Sequence, residues 1–374
     1  MDTAGARLGV CFGGPSPEHD VSVLTGLQAA RELSRVGRQP VALYWSRTGE
    51  WYQVEPNLEA SDFLEGVPRG AAPLRLLASP EGGFVPEAGR FRQARPLGLD
   101  VVLVCCHGGP GEDGSLQGAL DLAGLTYTGP DPAGAALGMD KLAFAGLCAA
   151  AGLPVLPRRA LGADGDELAD LAGPLILKPR FGGSSIGIEV VADRATAQAR
   201  LAANPHLRRG AVVEPYRAEL FDLNVAVRRY PRLEVSAIER PLKQQAGGEI
   251  LGYQDKYVGG EGMASAPREL PAQVAPALAE ALQDAAREVA ELVGVRGVAR
   301  VDFLSDGEDF WVNEVNTIPG SLARYLWVDP PLAFGQLLDD LVAEALARPT
   351  GRFSAVGADG SVLRSASAIA AKLA

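Results

Sequence analysis

Apolar and polar positions follow two different rhythms along this chain. "RLGVCFGG" (7–14) is an apolar run closed by glycines and reads as a strand entering a loop. "VSVLTGLQAARELSRVG" follows, with Val23, Leu27, Ala30 and Leu33 at helical spacing, and Ser16 followed by Pro17 gives a helix start. "PVALYWSRTGEWYQV" predicts a strand pair around a turn, whereas residues 54–97 lack periodicity and read as loop. "LDVVLVCCHGG" has buried-strand character and leads into a glycine-rich loop and a helix from about Ser115. Strands alternating with helices predict an open, largely parallel sheet whose ligands gather at the strand carboxyl ends.

A second unit starts near "DPAGAALGMDKLAFAGLCAAAGLP" and contains the strand "PLILKPR", the loop "FGGSSIG" and the strand "IEVV". A third runs from "AVVEPY" to about residue 349. Its helix "PALAEALQDAAREVAELVGV" carries one apolar stripe, Leu278, Leu282, Ala285, Val289 and Leu292, and stops near Gly294. The expected division is 1–131, 132–213, 214–349 and an appended Gly/Ser/Ala-rich tail, 350–374. Residues 243–268 are too glycine-rich for a packed element, and long loops of this kind are often active-site covers.

Composition narrows the function. A chain of 374 residues with 47% hydrophobic and 22% charged residues is an ordinary globular protein of more than one domain. A formal charge of −11 argues against nucleic acid or an anionic membrane as partner. No apolar run approaches a membrane span, and the start lacks a signal peptide's pattern. Four cysteines (Cys11, Cys105, Cys106, Cys148) and three histidines form neither a disulfide framework nor a zinc constellation, so buried thiols in a reducing cytoplasm are expected. Of 35 basic residues only five are lysine, Lys141, Lys178, Lys243, Lys256 and Lys372, which suggests that lysine is kept where a compact ammonium is needed.

The chemistry concentrates in "ARVDFLSDGEDFWVNEVNTIPG" (299–320). Glu314 and Asn316 are two apart in a strand and share a face. A two-residue Asp306-Gly307 turn would pair Asp302 with Trp311 and put it on the other face. A three-residue connection or a bulge would pair it with Val312 and bring the three together. Oxygen ligands without His or Cys suit magnesium completed by phosphate and water; the plainer alternative is a solvated hairpin edge. "KPRFGGSSIG" offers backbone amides and hydroxyls beside Lys178, and by itself could be a surface turn. "FGGPSPEHDVS" and "HGGPGEDGSLQG" each link a strand to a helix, where amides can hold an anion. Glu18 there could merely favour the helix dipole, and His107 could be a satisfied strand-end histidine.

Taken together, "GGPSPEHDVS", "HGGPGEDGSLQGALDLAGLTYTGPD", "GMDKLAF", "ILKPRFGGSSIGIEVV", "VVEPY", "YQDKYV" and "ARVDFL…VNEVNTIPG" resemble, in order over about residues 7–349, the D-alanine–D-alanine ligases of the ATP-grasp superfamily. The resemblance implies an α/β ATP-grasp fold behind an N-terminal open parallel, Rossmann-like (pre-ATP-grasp) α/β domain. It implies a cytoplasmic enzyme, a homodimer, that uses ATP to join two D-amino acids through an acyl phosphate for peptidoglycan precursors. Asp302, Glu314 and Asn316 would hold two magnesium ions, with manganese as a substitute. Lys141, Lys178, Glu214, Asp222 and Lys256 would bind ATP. Arg300 and the Gly320 amide would stabilise the oxyanion, and Glu18, Ser184 and Tyr257 would close the loop over the site. Glu18 would grip the first substrate's ammonium, with His107 by its carboxylate.

Three departures accompany the resemblance. Asp222 stands where the family has a ribose-binding Glu, and Ala145 where it has a second lysine. The family's "MTSHSL", whose last serine binds the second carboxylate, is "SLARYL" here, which puts Tyr325, followed by Leu326, in the acceptor site. A paralogue with another acceptor, an amino acid or a hydroxy acid, is therefore the alternative; Lys256-Tyr257 favours an amine. A non-catalytic nucleotide-binding relative would have lost a magnesium ligand or Arg300, and none is lost.

Overall fold

The structure, a computed structural model, describes residues 3, 5–87, 94–162, 171, 173–242, 267–348 and 354–365. β1 (Leu8–Gly13) lies parallel between β2 (Val41–Trp45) and β6 (Val101–Val104). Helix α1 (His19–Arg35) packs on β1, with Val23, Leu27, Ala30 and Leu33 all buried, so the apolar stripe is the packing face. The helix starts at His19 rather than at Pro17. The Ser16 hydroxyl accepts from the Glu18 amide at 3.0 Å and closes a turn ahead of the first helical residue.

The stretch read as loop differs. After β3 (Trp51–Val54) it forms β4 (Ala72–Leu77) and β5 (Gly83–Pro86), which extend the sheet antiparallel to the order β5-β4-β3-β2-β1-β6. In β4 only Leu74 is buried, and Pro73 can donate no ladder bond, so this outlying part of the sheet has no alternation to read.

Two antiparallel sheets follow. The smaller has the order β7 (Arg159–Ala160), β10 (Ala211–Pro215), β8 (Leu175–Pro179), β9 (Glu189–Val191). The larger runs β13 (Arg268–Glu269), β12 (Glu234–Pro241), β11 (Phe221–Arg228), β14 (Val298–Ser305), β15 (Phe310–Asn316). Along β14, Ala299, Val301 and Phe303 point into a core closed by the helix Pro276–Val293. That helix buries Leu278, Leu282, Ala285 and Val289 as expected, with Val293 rather than Leu292 completing the stripe. It ends on Gly294 at φ 67°, a conformation that favours glycine.

The cores do not follow chain order. Phe144 and Cys148, from the helix Lys141–Ala150, pack into the core of the larger sheet. Leu322, Leu326, Trp327 and the helix Phe334–Ala347 pack into that of the first sheet. The segment after β15 is thereby clamped between the two units. All four cysteines are buried free thiols. Among the described residues no helix is long and apolar enough to cross a membrane. The described part of the tail, 354–365, holds a short helix Ser361–Ser365 with no buried side chain.

Candidate active site

The polar face of the larger sheet is built by strand alternation. With Val301 and Phe303 inside, Arg300 and Asp302 must face the other way. Asp302 pairs directly with Glu314, and Arg300 with Asn316. Neither reading of the turn anticipated this register. The connection is four residues, Asp306–Asp309, in which the Asp306 carboxylate accepts from the amides of Glu308 (3.0 Å) and Asp309 (2.8 Å). Val312 pairs with Phe303, and Asn313 is the extra residue of a bulge. That bulge unites the three oxygen ligands. It also puts Trp311 on the face opposite Val315, under the Arg217 guanidinium at 4.7 Å.

Each acid on this face has a cation. Arg300 forks onto Asp302 through Nε (2.6 Å) and Nη2 (2.7 Å), and the Asn316 amide donates to the same carboxylate at 3.1 Å. Lys141 Nζ sits 2.6 Å from Glu314 and donates to the Gly182 carbonyl at 2.7 Å. The row continues across the sheet, Glu239–Asn224–Asp302–Glu314, with Asn224 donating to Glu239 at 2.9 Å. Two carboxylates and an amide oxygen on neighbouring strands are a hard-oxygen donor set, which fits magnesium. No group of three or more His, Cys, Asp or Glu suited to a metal occurs among the described residues.

Beside this face a cleft of about 390 Å³ opens between the two antiparallel sheets, with Ile176, Ile188 and Leu304 as apolar walls and Asp222 at its edge. At its floor Glu214, 1% exposed, is held by Arg158 Nε at 2.6 Å and Lys178 Nζ at 3.0 Å. Burial pushes the Glu214 carboxyl up, but the Lys178 and Arg158 charges outweigh it and hold it below the usual range. Burial, together with the Arg158 charge, lowers the Lys178 ammonium more than Glu214 restores it. Sequence reading missed Arg158 altogether. Lys256 and Tyr257 lie outside the described residues, as does the expected cover except Pro267 and Arg268.

The glycine loop meets the first unit at Glu18. Ser184, at φ 51°, donates its hydroxyl hydrogen to Glu18 Oε1. A Cβ on Gly183 would stand 2.8 Å from Glu18 Oε2, and one on Gly108 only 2.2 Å away, so both glycines are needed for the carboxylate to enter. Next to it Glu112 caps two amides, Gly108 and Ile318, each at 3.0 Å. Burial, then the Glu18 charge, raises the Glu112 carboxyl to about 7. It sits in the quoted "GEDG", and only its distant partner at residue 318 reveals its part.

His107, expected beside the first substrate's carboxylate, has both ring nitrogens engaged by protein groups. Its Nδ1–H donates to the Ile318 carbonyl (2.6 Å), and Nε2 accepts from Thr25 Oγ1 (2.8 Å), which in turn accepts from the Ser321 amide (3.0 Å). Burial lowers the imidazole to about 4, so it is neutral and both nitrogens are engaged in positioning the segment that carries Gly320.

In that segment Ser321, Leu322 and Ala323 all have φ near +50°. Tyr325 faces the polar sheet, its ring under the Arg268 guanidinium at 4.5 Å, while Arg268 pairs with Glu239 at 2.7 Å. Burial pushes the phenol well above its usual range. Arg324 points the other way, over the Phe334 ring at 5.3 Å. Leu326, the next residue, is 0% exposed and packs in the first core.

This geometry has clear relatives. The family described as D-ala D-ala ligase N-terminus matches residues 7–130, and D-ala D-ala ligase C-terminus matches residues 147–343. The chain belongs to the D-alanine–D-alanine ligase family. It is 33% identical over 360 residues to the D-alanine–D-alanine ligase of Bradyrhizobium sp. (strain ORS 278), covering 93% of this chain and 97% of that protein. Its identity to the corresponding ligase of Methylobacterium sp. (strain 4-46) is 34% over 367 residues, 91% of this chain and 92% of the other. Among solved structures, the VanG D-Ala:D-Ser ligase from Enterococcus faecalis superposes with a TM-score of 0.71 at 25% identity, over 91% of this chain and 99% of that one. The D-alanyl-alanine synthetase A from Vibrio cholerae, at 21% identity, gives a TM-score of 0.75 over 92% and 100% of the two chains and supports the ATP-grasp fold. As a member of the D-alanine–D-alanine ligase family the protein is an ATP-dependent ligase that forms a C–N bond between small-molecule substrates and uses a divalent metal.

Proposed function

We propose that this ligase joins D-alanine to D-alanine through an acyl phosphate, supplying the dipeptide for peptidoglycan precursors. The first carboxylate takes the γ-phosphoryl of ATP, releasing ADP. The second amine then attacks the acyl carbon, and phosphate leaves. Asp302, Glu314 and Asn316 would hold magnesium, whose charge on the phosphate oxygens eases phosphoryl transfer. Lys141 and Lys178 bind phosphate oxygens, Glu214 accepts from the adenine amino group, and Asp222 lies at the ribose. Glu18, held by Ser184, takes the first ammonium, while Arg300 and the Gly320 amide receive the oxyanion. What supports the reading is the register Asp302–Glu314 beside Arg300–Asn316, with Glu18, Lys141, Glu314 and Asn316 all lining one small cavity.

On the same reading the chain divides at residues 131, 213 and 349, the enzyme holds two magnesium ions or manganese in their place, and it works as a homodimer in the cytoplasm. Support for these comes from the motif order and composition. Purified protein with ATP, magnesium and D-alanine is expected to give D-alanyl-D-alanine and one phosphate per dipeptide by mass spectrometry and phosphate assay. ATP hydrolysis without peptide, across a panel of D-amino acids, would refute it.

Tyr325 favours a second reading, a different acceptor. A serine hydroxyl close to a carboxylate is replaced by a ring stacked under Arg268. Losing that charge-assisted hydrogen bond costs about 1.5–3 kcal/mol, or about ten- to a hundredfold in affinity. Tyr325→Ser is therefore expected to lower the D-alanine acceptor KM by about that factor in steady-state assays. An unchanged KM would restore D-alanine as the preferred acceptor.

A further inference from the structure

Arg158 is buried and makes its hydrogen bonds with unusual economy. Nε donates to Glu214 Oε1 (2.6 Å), Nη1 to the Lys141 carbonyl (2.7 Å) and Nη2 to the Asn313 carbonyl (3.0 Å). One side chain thus ties together the carboxylate at the cleft floor, the residue that carries the Lys141 ammonium, and the bulge that sets the register of Glu314.

The pairing of Glu214 explains why such a group is needed. Its two oxygens are shared between Arg158 and Lys178, and Lys178 also donates to the Asn313 side chain at 3.1 Å. A phosphate chain in the cleft would draw Lys178 away, because an ammonium follows the larger negative charge. Were Lys178 its sole partner, Glu214 would then be a buried, unpaired carboxylate, which is strongly unfavourable. It would either hold Lys178 back or take up a proton. With a proton it can donate to a purine carbonyl as readily as it accepts from a purine amine.

We propose that Arg158 is the standing counter-ion of Glu214: it keeps that carboxylate a bare acceptor while Lys178 turns to the phosphates, and so sets the preference for a 6-amino over a 6-oxo purine. Arg158 is a positioning and specificity residue here, acting through Glu214 without touching the nucleotide. The inference rests on Glu214 being the partner of the adenine amino group.

ADP and IDP differ at that position of the base and carry the same phosphates, so their dissociation constants, measured by calorimetry with magnesium present, isolate the effect. Arg158→Met is expected to shrink the wild-type ADP-over-IDP preference by about tenfold or more, while Arg158→Lys, which keeps a cation beside Glu214, retains most of it. If Arg158→Met fails to fold by circular dichroism, Arg158→Gln keeps hydrogen-bond donors without the charge and reads the same ratio. Equal weakening of ADP and IDP would mean a merely structural role and overturn the proposal. Glu214→Gln separates the two layers. If it leaves the ratio unchanged, the reading of Glu214 itself falls. If it collapses the ratio while Arg158→Met does not, only the inference about Arg158 falls.

Discussion

Glu314→Gln is expected to cut turnover roughly a thousandfold, the equivalent of about 4 kcal/mol of phosphoryl-transfer stabilisation. Its carboxylate stands directly opposite Asp302 across two strands, so the variant removes one of two anionic ligands without altering the other. Glutamine keeps a carbonyl that can accept from Lys141 Nζ, now 2.6 Å from the carboxylate. Phe303, Val312 and Val315, which fix the strand pair, lie on the opposite, buried face. The fold should therefore survive, with a melting temperature within a few degrees of wild type. Turnover at saturating substrates across a magnesium titration, alongside a thermal melt, checks this. Activity within tenfold of wild type would remove Glu314 from the metal site.

That Glu314 and Asn316 share a face was legible because alternation is local: polar residues two apart in an apolar strand point the same way, whatever the strand pairs with. Register was not legible. It depends on Asp306 capping two amides in a four-residue loop, and on Asn313, whose side chain is held by Lys178 and whose carbonyl is held by Arg158 from another part of the chain. Similarly, "HGGPGEDG" pointed to His107 but left its Glu112 unremarked, and both turn out to bind residue 318, far away in sequence. Arg158 lies in "PRRA", where two adjacent arginines look alike until one is buried on Glu214 and the other is not. The first sheet's outer strands escaped notice for the opposite reason. β4 buries only Leu74, and the buried β5 is four residues long, too short for a pattern to read.

Three acids of the site are held by cations: Glu314 by Lys141, Glu214 by Lys178 and Arg158, Asp302 by Arg300. On the proposed reading, magnesium and nucleotide exchange these partners, so the charges are already balanced before ligands arrive. Arg300 then has two tasks, to orient Asp302 and to meet the oxyanion, and a single variant can tell them apart. Lysine keeps the charge but cannot reproduce the two-toothed grip of Nε and Nη2 on Asp302. Arg300→Lys is expected to lower kcat by roughly a hundredfold to a thousandfold, the usual loss when an oxyanion donor is removed. If the defect lay only in a misaligned Asp302, excess magnesium would restore kcat, because weakened metal binding is overcome by mass action. A kcat that stays low at saturating magnesium, with nucleotide affinity near wild type, assigns the loss to the oxyanion. Recovery of full turnover at high magnesium would instead make Arg300 a positioning residue for Asp302 and leave the Gly320 amide as the remaining oxyanion donor.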